Sequence, residues 1–211
     1  MKLKIFVASL AISVVASIAH AQGTFLYDQQ SATDQDLAHY GASIQSQQPI
    51  GQSFTPAFSS VGFVQLRLSD AAFGNGIGAT LLVNLWSGSL GNGTLLGSTD
   101  PVSIPDSSSP LLITTFRFSD AVGVTPGTAY YFQPVVVQDG GDVDGFVFGD
   151  FYDYSEGTYY YNGAPTPDTT VDLWFREGIV VPEPASVWLA LINTGIWVYV
   201  RRFKQRHSDF I

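Results

Sequence analysis

Apolar and polar residues alternate at a period of two in short runs through the middle of this 211-residue chain, each run closed by glycine, proline, aspartate or serine. Successive side chains of a strand point to opposite faces, so such a run makes a strand with one apolar face. A helix would instead need apolar residues three and four apart. In residues 63–68 one face is Val64, Leu66 and Leu68, and in 81–86 it is Leu81, Val83 and Leu85. In 112–118, Leu112, Phe116 and Phe118 share a face with Thr114. Residues 128–137, 145–149, 158–161 and 171–176 continue the series, while Gly74-Asn75-Gly76, Gly91-Asn92-Gly93 and Asp139-Gly140-Gly141 interrupt it. Many short strands between regular turn signals predict an all-β antiparallel sandwich. The expected core is Val64, Leu66, Leu68, Val83, Leu85, Phe116, Leu173 and Phe175. Trp86 and Trp174 fall opposite the apolar faces of their strands, so at least one is expected at the surface. Helix is limited to one turn within 34–39.

Both ends of the chain break this pattern. Lys2 and Lys4 precede an apolar run over 5–18, and Ala19-His20-Ala21 supplies small residues at Ala19 and Ala21. These are the parts of a secretory signal peptide cleaved after Ala21, with the mature chain starting at Gln22. At the other end, Val181-Pro182-Glu183-Pro184 leads into an apolar run over 185–200, followed by Arg201, Arg202, Lys204 and Arg206. As a helix, the apolar run spans about 24 Å, a little less than the ~30 Å hydrocarbon core. Trp188, Trp197 and Tyr199 suit the membrane interface, and Arg201 and Arg202 can snorkel. The basic cluster holds its end of the helix in the cytoplasm. Pro182 and Pro184 favour an extended segment before the helix. Physics alone makes this tail a single transmembrane anchor preceded by an accessible peptide.

The order of a short proline motif, a membrane-length apolar run and a terminal basic cluster resembles the PEP-CTERM sorting signal of Gram-negative bacteria. The resemblance implies that a membrane transpeptidase, an exosortase, recognises Pro182, Glu183 and Pro184 and removes the helix. It further implies export through the Sec translocon, cleavage by signal peptidase and an inner-membrane intermediate. The expected destination is the cell surface or extracellular matrix. The chain differs from the pattern in its short helix containing Asn193 and in a tail that continues to Ile211.

The expected organisation is therefore a signal peptide (1–21), a polar N-terminal arm (22–48), a β-sandwich (49–180) and a sorting segment (181–211). Without its two ends the domain keeps three arginines (Arg67, Arg117, Arg176), no lysine and sixteen acidic residues, a formal charge of −13. Such a surface repels nucleic acid and anionic lipid, and suits divalent cations or neutral partners such as sugars. The absence of cysteine excludes disulfides, thiol catalysis and cysteine-ligated zinc.

Several phrases resemble the exported jelly-roll domains known as choice-of-anchor domains. They are Gly51-Gln52-Ser53-Phe54-Thr55, Leu81-Leu82-Val83-Asn84-Leu85-Trp86, Gly93-Thr94-Leu95-Leu96-Gly97-Ser98, Val124-Thr125-Pro126-Gly127 with the following Thr128-Ala129-Tyr130-Tyr131-Phe132, and Asp172-Leu173-Trp174-Phe175-Arg176. The resemblance covers roughly residues 48–177 and implies a jelly-roll fold without an activity.

The residues offer little catalytic chemistry. His39 is the single histidine of the domain, no G-x-S-x-G elbow is present, and Glu156 and Glu177 name no paired partner. No catalytic residue is assigned. Asp139, Asp142 and Asp144, with Asp150 and Asp153 beyond, cluster hard oxygen donors that suit Ca²⁺. Their spacing misses an EF-hand loop, and Asp and Gly are also ordinary turn residues, the reading favoured here. Tyr152, Tyr154 and Tyr160 lie in an aromatic stretch that could stack on the sugars of an exopolysaccharide, although packing is the commoner use of such residues. The sequence favours a non-catalytic envelope or matrix component, with a carbohydrate-binding adhesin, with or without calcium, as the alternative and a glycan-active enzyme third.

Overall fold

The computed structural model describes residues 23–70, 74–106, 111–138 and 145–181. Among these residues the chain is all-β, and no helix is present. The strands are β1 (Thr24–Gln30), β2 (Tyr40–Ser43), β3 (Gly51–Phe54), β4 (Ser60–Asp70), β5 (Ala79–Ser87), β6 (Thr94–Ser98), β7 (Val102–Ile104), β8 (Leu112–Gly123), β9 (Tyr130–Gln138), β10 (Gly145–Phe151), β11 (Tyr159–Tyr161), β12 (Ala164–Pro165), β13 (Val171–Leu173) and β14 (Phe175–Val181). Residues Phe25–Val180 form one compact unit.

The strands form two seven-stranded antiparallel sheets. The first runs β1-β14-β4-β10-β13, with β2 added on β10 and β8 on β4. The second runs β12-β11-β3-β9-β5-β6, with β7 on β5. Their inner faces meet in one core. All eight core positions expected from the alternation are buried there, joined by Phe54, Phe132, Val147 and Tyr154. Phe175 sits at the centre, its ring 5.1 Å from Phe132 and 5.1 Å from Tyr154.

In the first sheet β4, β10 and the β13–β14 segment meet at a three-way junction. Residues Phe63–Leu66 of β4 face β14, but its residues Leu68–Asp70 face β10. Strand β10 then leaves β4 and pairs through Gly149–Phe151 with β13. The Trp174 N–H, between β13 and β14, donates to the Phe148 carbonyl at 2.9 Å and closes the junction. A Cβ on Gly149 would lie 2.1 Å from the Asp172 carbonyl oxygen, so only glycine admits this approach.

The polar segment is not merely an arm, because its residues 23–48 supply β1 and β2, and Ala32 and Ala38 between them cover part of the outer face of the first sheet. Trp174 is buried on that outer face against Ala32 and Ala38, with Phe148 and Tyr152 packed beside them. Its indole N–H donates to the Thr33 carbonyl at 3.0 Å. Arg176 stacks on Trp174 at 4.7 Å and on Tyr27 at 5.2 Å, donates to the Ala32 carbonyl and pairs with Asp34. Arg67 also lies over Trp174, 5.2 Å from its ring centroid, and its guanidinium donates to the Asp34 carbonyl. Trp86 is the partly exposed tryptophan of the two. The segment 34–39 contains a turn rather than a helix.

Candidate functional site

The phrases Gly51-Gln52-Ser53 and Asp172-Leu173-Trp174 come together between the two sheets. Gln52 Nε2 on β3 donates to Asp172 Oδ1 at 2.7 Å, and the Leu173 N–H on β13 donates to Gln52 Oε1 at 3.1 Å. The Tyr154 N–H donates to the other Asp172 oxygen at 2.7 Å. Both side chains are fully buried. Burial pushes the Asp172 carboxyl above its ordinary value, although the Tyr154 and Gln52 donors pull the other way. This clamp ties one sheet to the other, and Asp172 forms part of the lining of a cavity above it.

The cavity, about 220 Å³, lies between β2, β10 and β13 of the first sheet and β11 of the second. Tyr40, Gln47, Gly149, Tyr159 and Tyr161 line it together with Asp172. Tyr159 and Tyr161 are two apart on β11 and therefore share a face, their rings stacked at 6.1 Å with planes 29° apart. Burial, and then the neighbouring Tyr161, push the Tyr159 hydroxyl up to about 12, so it stays neutral. Tyr40 is 51% exposed and meets Phe151, 55% exposed, edge to face at 5.1 Å. The β11–β12 hairpin turns at Asn162-Gly163, both in the left-handed region as a two-residue hairpin turn requires. Its tip is fastened by the Asn162 N–H to the Gln47 carbonyl and by the Gly163 N–H to the Pro49 carbonyl, each 2.9 Å. That fastening sets Gln47 beside Tyr161. Gln47 Oε1 is buried and has no hydrogen-bond partner among the described residues.

The tyrosines named from sequence are scattered. Tyr154 belongs to the core, and its hydroxyl donates to Gln29 Oε1 at 2.9 Å, so it is not a stacking surface for sugar. Tyr152 packs beside Trp174 and its hydroxyl donates to the Leu37 carbonyl. Burial raises both hydroxyls well above the usual tyrosine value. Tyr160, on the opposite face of β11 from the cavity, meets the Tyr131 ring at 5.6 Å. Alternation within β11 was the signal that could have selected Tyr159 and Tyr161 instead. Tyr40 carried no such signal, because its short strand lies in a polar segment.

Other candidates are also placed. His39, expected as a solvated loop residue, is mostly exposed, but its Nδ1 is hydrogen-bonded to Asp150. Burial works against the Asp150 charge, but His39 and the Phe151 N–H outweigh it and hold that carboxyl below the ordinary range. Glu156 is exposed. Glu177 points into the core at 0% exposure. No standard donor meets either of its oxygens in good geometry among the described residues, and Asp28 and the Gln29 backbone are its polar neighbours. Burial, reinforced by the Asp28 charge, pushes Glu177 up to about 9.

Among the described residues no group of three or more histidine, aspartate or glutamate side chains could hold a metal ion. Asp139, Asp142 and Asp144 lie outside the described residues, as do Ala19 and Ala21, Pro182-Glu183-Pro184, the apolar run 185–200 and Arg201, Arg202, Lys204 and Arg206. No helix among the described residues is long and apolar enough to cross a membrane. The chain matches no family model and no curated protein.

Proposed function

We propose that this chain is an exported, surface-sorted protein of the cell envelope or extracellular matrix of a Gram-negative bacterium. Its body is a non-catalytic jelly-roll β-sandwich, and an exosortase processes it at Pro182-Glu183-Pro184. The order of parts in the sequence carries this reading: a signal peptide, an acidic β-rich body, the proline motif, a membrane-length apolar run and a basic cluster. The fold agrees with it, since β14 ends at Val181 and the motif follows the last strand directly. The environments of the two glutamates support a non-catalytic role. Glu177 is sealed in the core, and Glu156 stands exposed in a turn, so the two do not face each other across a cleft. The test is fractionation of a Gram-negative host with an exosortase, followed by N-terminal sequencing. A surface or extracellular product beginning at Gln22 is expected, and a cytoplasmic product beginning at Met1 would contradict the proposal.

The cavity favours a second reading, a carbohydrate-binding adhesin for exopolysaccharide. Tyrosine rings and the neutral carboxamide residue Gln47, lining a cavity of an acidic domain, suit a neutral polyhydroxyl ligand.

A further inference from the structure

We propose that the cavity between β2, β11 and β13 is a saccharide subsite that holds one neutral pyranose ring of a glycan chain. Tyr161 and Tyr40 supply the stacking rings, and the Gln47 carboxamide hydrogen-bonds a sugar hydroxyl. The inference rests on the carbohydrate-binding reading above and specifies its site.

Size sets the first limit. A volume of about 220 Å³ falls below the roughly 300–1,000 Å³ of pockets for drug-sized ligands, so the occupant is a single ring with its chain running out to solvent.

Charge sets the second limit. The three arginines of the domain lie away from the cavity. Arg67 and Arg176 are stacked on Trp174, and Arg117 lies over Phe25 at 4.8 Å. Among the described residues no lysine or arginine lines the cavity. A phosphate, sulfate or uronate would meet tyrosines and a buried carboxyl without a counter-charge, which disfavours an anionic ligand.

The donor and acceptor pattern narrows the class further. Gln47 lines the cavity and supplies a neutral carboxamide, a hydrogen-bonding partner for a sugar hydroxyl. Asp172 has both oxygens engaged by Gln52 and Tyr154, so it shapes the floor without needing a ligand. Tyr161, 37% exposed, and Tyr40, 51% exposed, keep ring surface free for the apolar C–H face of a sugar. A quaternary ammonium also favours aromatic rings. The stacked arrangement of Tyr159 and Tyr161, with planes 29° apart, presents a flat wall rather than a cage around a point charge.

The experiment uses the full chain in a detergent without a sugar headgroup. It is screened against arrayed neutral oligosaccharides of glucose, galactose, mannose and N-acetylglucosamine, and the best binder is then titrated. Tyr161→Ala and Tyr40→Ala should each weaken binding about tenfold or more, while Tyr161→Phe and Tyr40→Phe retain it. Gln47→Leu should weaken binding, and Tyr160→Ala, on the opposite face of β11, should not. Melting temperatures separate lost binding from lost folding. In the unaltered protein, saturation transfer from aromatic protons should reach the ring C–H protons of the sugar, so the site is tested even if a variant misfolds. Binding that survives both alanine substitutions in folded protein, or absent transfer, would overturn this site and leave the adhesin reading standing. Binding to none of the oligosaccharides would remove both. Choline binding in place of sugar, lost in the same variants, would overturn the saccharide class.

Discussion

Glu177 makes stability depend on pH in a direction opposite to that of most carboxylates. Its folded value of about 9 lies far above its ordinary 4.5, because burial and the Asp28 charge oppose ionisation. Between those two values the folded chain keeps a proton that the unfolded chain releases. The contribution is therefore fully present below about pH 4.5 and is lost as pH rises through about 9. The melting temperature of the wild type should fall between pH 5 and 9, and Glu177→Gln should flatten that fall and melt higher at pH 8. Parallel curves for the two proteins would show that Glu177 ionises normally. Phe175 is the residue on which most of the central packing converges, touching Phe54, Phe132 and Tyr154. Phe175→Ala should cost about 3–5 kcal/mol, a large share of the ~5–15 kcal/mol of a domain, read as a lowered denaturation midpoint. Both residues lie on the inner face of β14, and their spacing of two made Phe175 legible in the sequence. Glu177 follows the same alternation but, as a glutamate, suggested a strand end rather than a core site.

At the scale of elements, the three-way junction and its cover determine what could be foreseen. Strands β5 and β8 bury one face in alternation, and β4, buried on both faces, still alternates Val64, Leu66 and Leu68 with polar residues, so their sequences reveal them. Strand β1 has no fully buried residue and is held instead by pairing with β14, so its Phe25-Leu26-Tyr27 run shows no alternating apolar face. The tyrosines after β10 were misplaced for a related reason. The strand ends at Phe151 and Asp153 takes a left-handed conformation, so the alternation of Phe146 and Phe148 does not continue to Tyr152 and Tyr154. Gly149→Ala should disturb the junction, because its Cβ would collide with the Asp172 backbone. A loss of about 1–3 kcal/mol is expected from denaturant titration. The cover over Trp174 depends on the flat guanidinium of Arg176, which stacks and donates at once. Arg176→Lys keeps the charge but not the fork or the stack. It should speed amide hydrogen exchange in 31–39 while leaving β5 and β9 protected; unchanged exchange would show that the arm is held by apolar contact alone.

For the whole molecule, the body and the ends speak to different questions. The body explains how a cysteine-free domain of charge −13 holds together: two sheets share one apolar core, and a Gln52–Asp172 clamp ties one to the other. The ends explain where such a domain would be taken. The general fold was legible because apolar and polar residues alternate along β4, β5 and β8, which carry much of the core. The cavity was not, because Tyr40, Gln47 and Tyr161 are brought together by pairing between distant segments and by a two-residue turn. The most direct test of the central claim is the intact mass of the protein recovered from a host with its exosortase, wild type beside Glu183→Ala. The wild type should have lost both residues 1–21 and the apolar tail. Glu183→Ala should still insert, since the apolar run and basic cluster are unchanged, yet retain the tail because the recognition motif is broken. An apolar tail retained in both proteins, their masses differing only by the Glu183→Ala change itself, would contradict sorting through Pro182-Glu183-Pro184 and reduce the tail to a membrane anchor.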